Sequence, residues 1–129
     1  MPDIPRGNRP LSPFMLGQYY RLQLTSVTSI LTRITGNALI VAALMIVWWF
    51  AAAATGPAAF ARANGFVTSW FGDLVLFLSV WAVWYHLLAG ARHLIWDTGR
   101  MLDIKQAEML GWGAVGGSVL LTLITVLIV

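Results

Sequence analysis

Three stretches of the chain carry few polar positions: Ala38 to Ala54, Leu74 to Ala91 and Trp112 to Val129. Their apolar residues neither alternate nor keep to one helical stripe, the pattern of helices surrounded by lipid. Each approaches the ~20 residues that cross a ~30 Å hydrocarbon layer at a rise of 1.5 Å per residue. With flanking turns added, spans are expected at roughly 30–54, 73–96 and 110–129. The predicted fold is all-α: an integral membrane three-helix up-down-up bundle with its N-terminus in the cytoplasm, forming a single membrane-anchor domain over 1–129.

The segments between the spans are short. MPDIPRGNRPLSP, residues 1 to 13, holds four of the chain's five prolines and is expected to run as an extended arm. Phe14 to Gly36 is mixed in polarity and reads as an interfacial lead-in to the first helix, so 1–28 is taken as arm and lead-in. TGPAAFARANGF, residues 55 to 66, contains two glycines and a proline and is read as the outer connection. Asp97 to Met109 is a short charged connection on the opposite side.

Composition agrees: 59% of residues are hydrophobic and 10% charged, against about 25% charged in soluble domains. The net charge of +3 does not suggest nucleic acid, because the eight basic residues form no patch. They report topology instead. Arg6, Arg9, Arg21 and Arg33 precede the first apolar block, Arg62 alone lies between the first and second, and Arg92, Arg100 and Lys105 surround the last connection. The positive-inside rule puts the N-terminus and the second connection in the cytoplasm. Trp48, Trp49 and Trp70 would then mark the outer headgroup level, and Trp96 and Trp112 the inner one. The lead before Ala38 is far longer than the n-region of a signal peptide, so the first block is read as a retained span. With no cysteine, disulfides and thiolate-held metal centres within the chain are excluded.

Chemistry enters with HLLAGARHLIWD, residues 86 to 97. His86, Gly90, His93 and Asp97 follow at steps of 4, 3 and 4 and fall on one helical stripe. Ionisable residues within a span mark function by default. Neutral imidazole can bind haem iron, and Gly90 leaves room for a flat macrocycle one turn from His86. An interhelical hydrogen bond or a proton relay would use the same residues. His86 and His93 cannot be the two axial ligands of one iron, since they leave one helix in the same direction about 10 Å apart. If His86 ligates, its opposite number must come from another chain. His93 and Arg92, nearer the cytoplasm, suit haem propionates, and Asp97 could pair with Arg92, orient His93 or simply end the helix in solvent.

SILTRITG, residues 29 to 36, places Ser29, Arg33 and Gly36 on one face at the cytoplasmic end of the first span. A hydroxyl and a guanidinium facing one way can donate to a quinone carbonyl. The simpler roles are an arginine snorkelling to the headgroups and a serine bonded to its own helix. GWGAVGG, residues 111 to 117, sets Gly113 and Gly117 at the spacing that admits a close helix, within the chain or from a partner subunit.

Together RPLSP (9 to 13), SILTRITG (29 to 36) and HLLAGARHLIWDTG (86 to 99), in this order, resemble the cytochrome b subunit of succinate dehydrogenase, a membrane anchor of respiratory complex II. The resemblance covers nearly the whole chain. It implies that His86 is an axial ligand of haem b shared with a second small anchor subunit supplying the other histidine. It implies that Ser29 and Arg33 line a ubiquinone site, and that Arg92 and His93 are secondary haem contacts. It also implies partners, an iron-sulfur subunit and a flavoprotein subunit that oxidises succinate, and a location in the bacterial cytoplasmic (inner) membrane among membrane lipid. This chain would carry no succinate chemistry itself. Fumarate reductase anchors share the fold, and a haem-free membrane assembly protein is the alternative of another class. Two positions depart from the family pattern: Thr32, where histidine is common before the arginine, and Phe14, where histidine is common after RPLSP.

Overall fold

The computed structural model describes residues 20–129. The N-terminal arm, the RPLSP motif and Phe14 lie outside the described residues. Four helices follow: α1 over Leu24–Thr55, α2 over Pro57–Val67, α3 over Trp70–Asp97 and α4 over Ile104–Ile128. The three long ones are long and apolar enough to cross a membrane. At 32 residues, α1 spans about 48 Å, so it reaches past the hydrocarbon layer at one end or both. It starts inside the expected lead-in, because LTSVTSILTRIT contains no glycine or proline to interrupt it.

The segment read as the outer connection is mostly helix. Pro57 occupies the first turn of α2, where its missing N–H breaks no helical bond, and the alanines that follow favour helix. The break falls at Gly56, whose φ of 140° turns the chain between α1 and α2. Trp49 and Trp48 then meet Phe60 and Phe66 edge-on, and Trp49 Nε1 donates to Asn64 Oδ1 at 3.3 Å, so α2 folds back on the end of α1. Ser69 caps α3 by accepting from Gly72 N at 3.2 Å. A Cβ on Gly72 would sit 2.2 Å from the Val67 carbonyl oxygen, so a side chain there is incompatible with this close turn.

The bundle is inverted relative to a soluble protein. Large residues such as Ile40, Val41, Leu44, Phe50 and Leu120 are exposed, while the buried positions are mainly small. Thr28, Thr35 and Ala42 line the inner face of α1; Ala82, Tyr85, Ala89 and Arg92 that of α3; Ala107, Gly111, Ala114, Ser118 and Thr122 that of α4. Lipid offers no hydrophobic penalty to isoleucine, so association depends on close backbone approach and interhelical hydrogen bonds. Buried serine and threonine hydroxyls are satisfied on their own helices, as in Thr122 Oγ1 to the Ser118 carbonyl at 2.7 Å. The helix α3 lies at the centre, packing most extensively on α4 and then on α1. Gly117 receives Leu88 of α3, whose Cδ1 lies 3.1 Å from where a Cβ would be, but Gly113 meets open space. The expected glycine pair is thus divided between an internal contact and an outer surface.

Candidate functional site

The end of the bundle that holds the start of α1 and the end of α3 brings the two singled-out motifs together. Antiparallel packing places His86 of α3 beside Thr32, Thr35 and Gly36 of α1. His86 Nδ1 lies 3.2 Å from the Thr32 carbonyl oxygen and 3.4 Å from Thr35 Oγ1. A carbonyl oxygen only accepts, so this contact places the proton on Nδ1. The lone pair is then on Nε2, which has no hydrogen-bond partner among the described residues. Gly36 lies under the ring: a Cβ there would come within 3.1 Å of Cε1.

This half-buried imidazole is at the head of its stripe. Gly90, one turn on, has open space where its Cβ would stand. His93 is exposed, its Nδ1 donating to the Ala89 carbonyl at 2.7 Å within α3, and its ring meets Trp96 at 5.3 Å. Asp97 is exposed at the end of α3. On the facing side of α1, Ser29 is half-buried and Arg33 exposed, both on the Gly36 face. No group of three or more His, Cys, Asp or Glu side chains that could hold a metal ion occurs among the described residues.

Arg92 is parted from its sequence neighbour His93. It is 3% exposed and points into the three-helix interior, where Nη1 donates to Thr28 Oγ1 at 3.0 Å. Its guanidinium lies over the Trp96 ring, 4.6 Å from the centroid, and Gly111 of α4 makes room beside it. Tyr85, fully buried, donates to the Thr28 carbonyl at 2.9 Å. Thr28 thus joins α1 to α3 twice, through its hydroxyl and through its carbonyl. The Arg92 Nε–H is buried without a hydrogen-bond partner among the described residues.

Sequence reading missed Thr28, Thr35 and Tyr85. The threonines were visible as residues seven apart on the same face of α1, but nothing in the sequence tells which face of a uniformly apolar helix is internal. The cleft lined by Met45, Ile46, Trp49, Phe50, Val67 and Leu76, near α2, is wholly apolar and holds none of the predicted site residues.

Fold and site define a membrane-anchor protein: three spans around a small-residue core, with the His86 imidazole held across the α1–α3 contact through Nδ1 and its Nε2 without a hydrogen-bond partner among the described residues. Residues 5–125 match the profile of the succinate dehydrogenase/fumarate reductase transmembrane subunits. The succinate dehydrogenase cytochrome b556 subunit of Paracoccus denitrificans is 51% identical over 99% of this chain and 97% of its own. That of Rickettsia felis is 36% identical over 92% and 90%, and the cytochrome b560 subunit of Reclinomonas americana 34% identical over 91% and 83%. The chain belongs to the succinate dehydrogenase/fumarate reductase transmembrane subunit family and is similar to its cytochrome b members.

Proposed function

We propose that the chain is the cytochrome b anchor subunit of a succinate:ubiquinone oxidoreductase in a bacterial cytoplasmic membrane. The observation that carries this reading is the His86 imidazole, with Nδ1 engaged by α1 and Nε2 free. That is the state in which a histidine ligates a metal while its other nitrogen donates to a carbonyl. The open space at Gly90 suits a flat macrocycle, and His86 would hold haem b with a histidine from a second small anchor subunit. The unpartnered Arg92 Nε–H is the donor left for a propionate, with exposed His93 as a second contact. When bound, the haem supplies one-electron storage beside the quinone.

The quinone site proposed here lies beside Ser29 and Arg33, on the Gly36 face of α1. Their hydroxyl and guanidinium can donate hydrogen bonds to the quinone oxygens, which gain negative charge on reduction. The basic residues at this end of the bundle favour the cytoplasmic side, where protons and the iron-sulfur and flavoprotein subunits would meet it. The names of the relatives favour succinate oxidation over fumarate reduction.

The test uses the assembled complex. His86→Ala should abolish the b-type reduced-minus-oxidised absorbance, and its survival would reject the ligand. Arg33→Ala should cut succinate–quinone activity by about ten- to a hundred-fold, the size of a lost charged hydrogen bond, with succinate oxidation by a soluble dye unchanged. Equal losses in both assays would remove Arg33 from the quinone site.

A further inference from the structure

We infer that the Thr32–Gly36 turn of α1 is a positioning device for His86: the Thr32 carbonyl and the Thr35 hydroxyl share the Nδ1 proton, and Gly36 gives the ring access to them. The inference rests on the proposed haem ligation by His86. It concerns residues on a different helix from the ligand.

In an α-helix the carbonyl of residue i points toward residue i+4. The carbonyl of Thr32 is therefore directed at position 36, where a side chain would stand between it and a neighbouring helix. With glycine there, the imidazole lies against the backbone, and the Cβ position is 3.1 Å from His86 Cε1 and 3.6 Å from Nδ1. A side chain at position 36 presses on the ring, which must give by a few tenths of an ångström, away from the two acceptors that meet Nδ1 among the described residues. Gly36 is thus needed for access as well as for space.

Thr35 completes the arrangement. It is buried at 2% exposure, and its hydroxyl proton is directed to its own helix, with the Leu31 carbonyl oxygen 2.8 Å and the Thr32 carbonyl oxygen 3.1 Å from Oγ1. The oxygen lone pairs then face His86 Nδ1 at 3.4 Å and can only accept from it. Two acceptors on one N–H increase the electron density that the imidazole passes to a metal at Nε2. That stabilises ferric over ferrous iron and lowers the reduction potential. The side chain of residue 32 plays no part in the device: it is the Thr32 backbone carbonyl that meets His86.

The experiment is a redox titration of the haem in the purified complex, with the low-spin electron paramagnetic resonance signal as a second readout. Thr35→Val has nearly the shape of threonine and removes one acceptor, so the midpoint potential should rise, and Thr35→Ser should restore it. Gly36→Ala should raise the potential further and move the low-spin g values as the ring reorients. A wild-type potential in Thr35→Val overturns the assignment, as does a rise that serine fails to reverse. Should Gly36→Ala not assemble, the Thr35 pair decides alone, because valine keeps the branched shape of threonine and serine is smaller. Survival of the b-type signal in His86→Ala overturns the haem ligation itself. Its loss there, with an unshifted potential in Thr35→Val, overturns only the positioning role.

Discussion

Two stripes of α3 lie side by side over the same turns and do different work. Tyr85, Ala89 and Arg92 face the bundle interior, where Tyr85 and Ala89 are fully buried and Arg92 is 3% exposed. His86, Gly90 and His93 lie on the adjoining flank, half-buried or exposed, and Gly90 has empty space before it. Residues adjacent in sequence are about 100° apart on the helix, so Tyr85 and His86, or Arg92 and His93, separate completely. The first stripe finds its partners inside the chain, with Tyr85 and Arg92 both donating to Thr28 and the Arg92 Nε–H alone left over among the described residues. The second has a free imidazole nitrogen and a vacant surface. Polarity within a span therefore has two meanings, and the presence of partners inside the chain distinguishes them.

That contrast predicts opposite phenotypes from neighbouring substitutions. The largest stability effect should follow Tyr85→Ala, which empties a fully buried aromatic site and removes its bond to Thr28. A loss of about 3–5 kcal/mol is expected from aromatic truncation, seen as a lower melting temperature of the detergent-solubilised complex. His86→Ala, one residue on, should leave that temperature far less changed while abolishing the b-type absorbance. If both variants unfold alike, the division between the stripes fails.

Thr28→Val should come next. It leaves the buried Arg92 Nη1 without its acceptor, at a cost of about 1–3 kcal/mol, checked by the same melting measurement. Gly72→Ala should cost about 1–3 kcal/mol as an overpacked site, since its Cβ would fall on the Val67 carbonyl, and its effect should be loosening of the α2–α3 junction without loss of haem. Increased proteolysis between Val67 and Trp70 in inverted and right-side-out vesicles would show the loosening and the side on which it lies.

The smallest effect on the chain itself should come from Gly90→Ala. Nothing within the chain opposes a methyl group there, and helix propensity favours alanine by about 1 kcal/mol. Its fold should be unchanged or slightly more stable. Loss of haem from such a well-folded variant would show that the vacant surface is filled in the complex, and full haem retention would show that Gly90 is not part of the pocket.

The sequence by itself determined the three spans, because block length and apolar composition are set by bilayer thickness and need no tertiary partner. It also showed that His86 could not complete a bis-histidine site alone, a consequence of helical geometry. It read 55–66 only as a connection and did not foresee the helix there, which Pro57 starts. Only the tertiary structure decided which face of each helix is internal. In a span that is apolar all round there is no polar face to mark the outside, so the inner stripe of small residues appears only when the helices meet. The same packing joined SILTRITG to His86 through a backbone carbonyl, a group every residue carries and no sequence pattern singles out. It also sent Arg92 inward and His93 outward, a separation fixed by their angle on α3 and by Thr28 waiting on α1.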